Sequence, residues 1–394
     1  MLICGAALLL RLALLPLLPH PGFADPNYYY HLGEALVQGR GFTLDFIWQY
    51  NNPPADIVHP MDYWMPLNGV IVAAGMALFG VNVAAALLPF ALLGALLPLV
   101  AFAAVKQFDG ADSSALFAAA ATALLPELLL HSLRTETTIP AALLVGCTIL
   151  AVGQALRRGR GWALLPAGVG GGLAYLVRSD AALLLPMVIV LLAGLAWQRR
   201  LHRRLLLWSA AGLLLALLTV APWLLRNQQL FGTPTTPHLS RMFFLTDHDE
   251  HFAYDDDFTL TTLLQSQTPA QLISKRLFEL AAALKTMVVS LDMLLPVAVG
   301  GGLLLLLARR DAARGWAIAP VLILLGGLLV FYPVLIPMKS QGGSFKKAYL
   351  ALIPLLLPLA GYALEQAVPD RRLRYGVMGL TLSLLAAFAV DAVR

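Results

Sequence analysis

The segment HPGFADPNYYYHLGEALVQGRGFTLDFIWQYNNPPADIVHPMDYWMP, residues 20–66, is polar and aromatic in a chain that is otherwise mostly apolar. It follows the first hydrophobic stretch directly, so it reads as a loop at the membrane surface. Asp25 comes six residues after the first hydrophobic stretch ends, followed by Pro26, Asn27, Tyr28, Tyr29 and Tyr30. Across residues 27–38, Tyr28, Leu32, Ala35 and Leu36 recur at helical spacing, with His31, Glu34 and Gln38 on other faces. Gly39 and Gly41 end the pattern, as glycines past a helix terminus do. A carboxylate on a helix in the interface suits chemistry on a lipid head group.

The 394 residues are 59% hydrophobic and 12% charged, where a soluble domain carries about 25% charged residues. The fold class expected is therefore an all-α polytopic membrane protein. The net charge of +5 comes from short arginine clusters between apolar spans, a placement that argues against nucleic acid as a partner. Cys4 and Cys147 both fall in hydrophobic segments and offer neither a disulfide framework nor a CxxC site. No small-residue cleavage site precedes Asp25, so the first stretch reads as a retained anchor.

About 20 apolar residues cross a hydrocarbon core of roughly 30 Å. On that basis eleven spans are expected, at about 1–19, 82–105, 113–131, 138–156, 162–178, 181–197, 205–225, 288–307, 316–337, 346–366 and 375–393. Residues 67–79 are apolar but short, and the placement of basic residues decides how to read them. If this piece does not cross, the loops with Lys106, Arg157/Arg158/Arg160, Arg199/Arg200/Arg203/Arg204, Arg309/Arg310/Arg314 and Arg371/Arg372/Arg374 share one side. If it crosses, that clustering is lost. Residues 67–79 therefore read as an interfacial or re-entrant helix, and the Asp25 loop as extracytoplasmic.

The organisation expected is one integral membrane domain over 1–394, with a first outer loop at 20–81 and a large outer loop at 226–287. Residues 131–138 (HSLRTETT), the turn Arg178-Ser179-Asp180 and residues 338–347 (MKSQGGSFKK) fall on the same outer side. In the large loop, Thr268 before Pro269 marks a helix start. No pair of Gly/Pro-broken segments recurs in two halves, as an inverted-repeat transporter would show.

Ionisable residues at membrane helix ends point to function. Asp25 is the lead as a general base, and it also suits a helix N-cap. Arg134 and Glu136 lie at the lip of two spans, as site residues or as a local ion pair. Arg178 and Asp180 could line a site or neutralise each other in their turn. Lys339, Lys346 and Lys347 flank Gly342-Gly343, a pattern suited to a phosphate and also to snorkelling lysines. His59 could assist Asp25, ligate a metal, or bond within its loop. Asp25, Glu136 and His59 are candidates for a divalent cation, Mg or Mn. The run Asp247, His248, Asp249, Glu250, His251, Asp255, Asp256 and Asp257 could hold a cation through oxygens, or form a solvated loop. Gly168–Gly172 (GVGGG) reads as a close helix contact. Arg11, inside the first span, needs a partner.

The ordered set of these pieces resembles the GT-C type glycosyltransferases, which use polyprenyl-phosphate-linked sugars. It runs from Asp25-Pro-Asn-Tyr-Tyr-Tyr-His and Gly39-Arg-Gly-Phe to Leu78-Phe-Gly, Leu133-Arg-Thr-Glu-Thr and Val177-Arg-Ser-Asp. It continues through Pro222-Trp-Leu-Leu-Arg-Asn, Phe231-Gly-Thr-Pro and Gly343-Ser-Phe-Lys, roughly to Glu365. The last third has no Trp-Trp-Asp and no sizeable soluble domain, unlike the oligosaccharyltransferase branch. The chain is more similar to the smaller bacterial members, the protein O-mannosyltransferases and the aminoarabinose transferase of lipid A.

The resemblance implies an inverting transfer of a sugar from a polyprenyl-phosphate donor to an acceptor that is a lipid, a glycan or a protein. The site would face the extracytoplasmic side of a bacterial plasma membrane. Asp25 would be the base and Glu136 a second acid lining the site. Arg134, Arg178, Lys339, Lys346 and Lys347 would be candidates to bind the donor phosphate. Tyr28, Tyr29 and His59 would line the substrate, and Tyr30 and Trp64 could stack on sugar or sit in the interfacial belt. A flippase or transporter of lipid-linked saccharides is the alternative.

Overall fold

The computed structural model describes residues 1–394 except 49, 51–52, 238, 248–249, 251–252, 255–257, 293, 338–342 and 394, with 240 and 393 described in backbone only. Helix α1 (Leu2–Leu14) runs on through a 3-10 turn, and α2 (Asp25–Val37) follows. A two-stranded ribbon, β1 (Thr43–Leu44) and β2 (His59–Pro60), precedes α3 (Leu67–Phe79). Next come α4 (Val83–Gln107), α5 (Asp112–Leu124), α6 (Pro126–His131), α7 (Thr138–Arg158), α8 (Leu164–Val177), α9 (Leu184–Trp197) and α10 (Arg203–Phe231). The large loop carries α11 (Leu260–Ser266) and α12 (Pro269–Val289). The chain closes with α13 (Leu295–Arg309), α14 (Ala312–Val330), α15 (Ser344–Leu350), α16 (Ile353–Ala367) and α17 (Arg371–Val393).

A helix stands wherever a span was expected, but their lengths differ from that reading. Among the described residues, six helices are long and apolar enough to cross, or seven if α15 and α16, bent by 55°, count as one broken span. The apolar helices at 2–17, 67–79, 161–177 and 295–309 are shorter. With 13 residues, α3 rises only about 20 Å, short of a crossing. The span expected at 113–131 is two helices: Pro126 has no N–H to continue the α5 ladder, so α6 starts afresh there. That break places Glu127 and His131 on a short separate helix, where they meet Lys346 and Glu136.

Helix α4 is the centre of the bundle, packed against α1, α3, α5, α7 and α16. A glycine contact joins α8 to α10. A Cβ on Gly168 would stand 2.0 Å from the carbonyl oxygen of Gly212, so only glycine permits this approach. Capping follows the sequence in the large loop, where the Thr268 side chain accepts from Gln271 N–H and Gln271 returns the bond.

The first loop has its own core. Tyr28, Leu32, Leu44, Met61, Val72 and Phe90 are fully buried together. The α2 face holding Tyr28, Leu32 and Ala35 is buried while His31 is exposed, as the periodicity implied. Arg226, at the end of α10, fixes the ribbon to the bundle: it donates to the carbonyls of Met61 (2.7 Å) and Phe42 (3.2 Å) and stacks on Trp223.

Candidate active site

Asp25 is the first residue of α2, not its N-cap. Ala24 holds that position, at φ 55°, and no side chain caps the helix. A positive φ at a non-glycine residue stores strain, which the neighbours must hold in place. Two bonds from Thr135 do so: its N–H donates to the Pro21 carbonyl (3.2 Å) and its hydroxyl to the Pro26 carbonyl (2.6 Å). Gly22, at φ 119°, is needed because a Cβ there would lie 2.7 Å from the Pro26 ring.

The short connection 132–137 (SLRTET) is the hub of the site. Ser132 accepts a bond from Arg11 (2.8 Å), which gives the buried arginine of α1 its partner. Glu136, 2% exposed, accepts from Lys347 (2.9 Å) and bonds His131. Thr137 accepts from Arg178 (3.1 Å). Lys347 also reaches Asp25 at 2.8 Å, so one ammonium stands between the two carboxylates.

Asp25 and Lys347 border a cavity of about 90 Å³. Tyr29, Tyr63 and Trp64 form an aromatic wall, and Arg178, Asp180, Arg241 and Tyr332 are part of its polar lining. Arg178 is committed to protein groups. Its Nε meets Asp180 at 3.1 Å, and its other nitrogens donate to Thr137, Tyr332 and the Ser344 carbonyl. The Tyr332 hydroxyl donates to Asp180 at 2.6 Å.

The candidates named from sequence are only partly brought together. Asp25, Tyr29, Arg178 and Lys347 border the cavity, and Glu136 stands directly behind Lys347. Tyr28 does not border it; one residue round the helix from Tyr29, it is buried in the loop core. His59 does not border it either, and bonds the Ile57 carbonyl at 2.8 Å within the ribbon. Arg134 is exposed, and Lys346 pairs with Glu127 at 2.6 Å. Lys339 lies outside the described residues, as does most of the acidic run at 247–257; Glu250 there binds the Thr246 amide at 2.5 Å. Asp25, Glu136 and His59 do not form a metal-binding set. The Lys347 ammonium occupies the position between the two carboxylates, and among the described residues no group of three or more His, Cys, Asp or Glu could hold a metal ion.

Sequence reading missed Arg241, carried by a 3-10 turn at Leu239–Phe243, and the pair Glu127 and His131. Nothing periodic marks Arg241. The second pair did leave a signal: a Glu and a His at i, i+4 in an apolar stretch.

Burial alone would raise the Glu136 pKa, but the His131 and Lys347 charges hold it well below the carboxylate range. Burial would lower the His131 pKa, and Glu136 and Glu127 raise it instead. The signs give two limbs. The Glu136 contribution to stability is full above its ordinary value of 4.5 and is lost as pH falls. The His131 contribution is full below its ordinary value of 6.5 and is lost as pH rises through the raised value. The melting temperature in detergent is therefore expected to peak between about pH 5 and 6.5. In His131→Gln the alkaline decline should flatten; an unchanged alkaline limb would remove His131 as its source.

Residues 58–225 match the family model described as dolichyl-phosphate-mannose-protein mannosyltransferase. No curated protein matches the sequence. Among solved structures, the chain superposes over 98% of its length on ArnT from Cupriavidus metallidurans bound to undecaprenyl phosphate, with TM-score 0.62 and 17% identity. The Archaeoglobus fulgidus oligosaccharyltransferase in complex with Zn and sulfate gives TM-score 0.63 and 16% identity over 99% of the chain. AglB from the same organism, with an inhibitory peptide and a dolichol-phosphate, gives 0.57 and 14%, also over 99%. The chain spans 63% of the ArnT chain and 53% and 55% of the two archaeal chains. The chain thus shares the fold of ArnT and of the archaeal oligosaccharyltransferase, and its residues 58–225 resemble the mannosyltransferase family in sequence.

Proposed function

We propose that the protein is an inverting glycosyltransferase that moves a sugar from a polyprenyl-phosphate-linked donor to a hydroxyl acceptor on the extracytoplasmic face. The observation that carries this reading is the Asp25–Lys347 pair at the edge of an aromatic-walled cavity. The match to a family named for a dolichyl-phosphate-mannose donor supports the donor class. So do neighbours holding undecaprenyl phosphate and dolichol-phosphate.

In this mechanism Asp25 takes the proton of the acceptor hydroxyl. The acceptor oxygen forms a bond to the anomeric carbon as that carbon's bond to the phosphate oxygen breaks. The donor phosphodiester carries one negative charge, and the departing monoester carries two. Asp25 loses its charge in the same step. Lys347, freed from a carboxylate that has become neutral, then presents its ammonium to the phosphate. Arg241 faces the same cavity and supplies a second cation. The tyrosine and tryptophan wall offers the sugar an apolar face.

The test is native mass spectrometry of the protein in nanodiscs with polyprenyl-phosphate monosaccharides, followed by an acceptor extract. Donor should bind and be consumed, and NMR of the product should show the inverted anomer. Retention of configuration would exclude the single displacement. Movement of donor across vesicles without consumption would make the protein a transporter.

A further inference from the structure

Behind the cavity, four charged groups that lie outside its lining and that the mechanism above does not use, Lys346, Glu127, His131 and Glu136, lead in line to Lys347 and Asp25. Lys346 meets Glu127 at 2.6 Å, and Glu127 meets His131 Nε2 at 3.5 Å. His131 Nδ1 meets Glu136 Oε1, and Glu136 Oε2 meets Lys347 at 2.9 Å. Lys347 then meets Asp25 at 2.8 Å. Lys346 and Lys347 are consecutive in α15, so the line leaves that helix and returns to it. It thereby ties α6 and the connection 132–137 to the helix carrying Lys347.

His131 is the centre of this line and is 5% exposed. A neutral imidazole has one N–H. With a carboxylate on each nitrogen, both nitrogens must donate, so the ring is the cation. Charges then alternate along all the groups, from Lys346 to Asp25, and sum to zero. Glu136 has two oxygens, one held by His131 and the other by Lys347. Without the imidazolium, this buried carboxylate keeps, among the described residues, Lys347, and draws the ammonium toward itself, away from Asp25.

We infer that His131 is a positioning residue for Asp25, acting through Glu136 and Lys347. This rests on the transferase reading for its kinetic consequence, while the geometric consequence stands without it. The test uses the full chain in nanodiscs and the variant His131→Gln. An ammonium at 2.8 Å shields a carboxylate from a carbodiimide, and its withdrawal opens that carboxylate to the reagent. Carbodiimide labelling of Asp25, read by peptide mass spectrometry, should rise about tenfold in the variant. The kcat for transfer should fall about 100-fold, with the donor Kd changed less than about threefold, because base placement and not donor binding is altered. In a Glu136→Gln background the same substitution should add nothing, since His131 acts only through Glu136.

Additive losses in the double variant, or unchanged labelling in folded His131→Gln, would overturn the inference. Should that variant fail to fold, Glu127→Gln, at a partly exposed position, should raise Asp25 labelling in the same direction. A wild type that consumes no donor would sink the transferase reading, and the labelling would still decide the role of His131.

Discussion

Asp25→Asn lowers kcat for sugar transfer by about 1,000-fold, the range a positioned general base supplies, while donor still binds. Asparagine matches aspartate in shape, so α2 and the strained turn at Ala24 have no reason to move. What is lost is the capacity to accept a proton, together with the charge that holds Lys347 at 2.8 Å. Lys347 keeps Glu136 as its second partner, so the ammonium stays in the site. The effect therefore falls on kcat and not on donor Kd, the signature of a group that acts only in the transition state. Single-turnover measurement with preloaded donor separates the two. Turnover within about tenfold of wild type would remove Asp25 from the proton transfer.

Much of this site was legible because membrane chains state their polar residues sparsely. In an apolar background, Asp25 and Glu136 stood out by position alone, and both come to the same ammonium. The α2 pattern was legible for the same reason: a period of 3.6 over a segment with one buried face. Other features needed three dimensions. Tyr28 and Tyr29 are adjacent and alike, and a turn of about 100° along a helix sends one into the loop core and the other to the cavity. His59 carries no mark that separates a ligand from a ribbon histidine. Glu127 and His131 were hidden by counting residues 113–131 as one span, when Pro126 divides it.

Arg178 and Arg241 should separate cleanly when each is changed to alanine. Both border the cavity, and electrostatics alone would give them one role. Their places in the chain differ. Arg178 is 9% exposed and gives its donors to Asp180, Thr137, Tyr332 and the Ser344 carbonyl, thereby joining the ends of α7 and α8, the turn before α9, the segment after α14 and the start of α15. Removing it strands Asp180 as a buried charge that keeps, among the described residues, the Tyr332 hydroxyl, a loss of about 3–5 kcal/mol for a broken buried pair. Arg178→Ala should therefore lower the melting temperature sharply and lose donor binding only as a consequence. Arg178→Leu with Asp180→Leu should recover most of that temperature, since an apolar pair leaves no charge stranded. Arg241 sits on a 3-10 turn in the long connection between α10 and α11, and borders the same cavity from that side. Arg241→Ala should leave the melting temperature near wild type. It should raise the donor Kd by about 10- to 100-fold, the worth of a charged hydrogen bond of about 1.5–3 kcal/mol. Thermal melts and donor titrations on the same preparations decide it. If Arg178→Ala keeps its melting temperature and loses donor, the guanidinium belongs to the phosphate, and Asp180 only aims it.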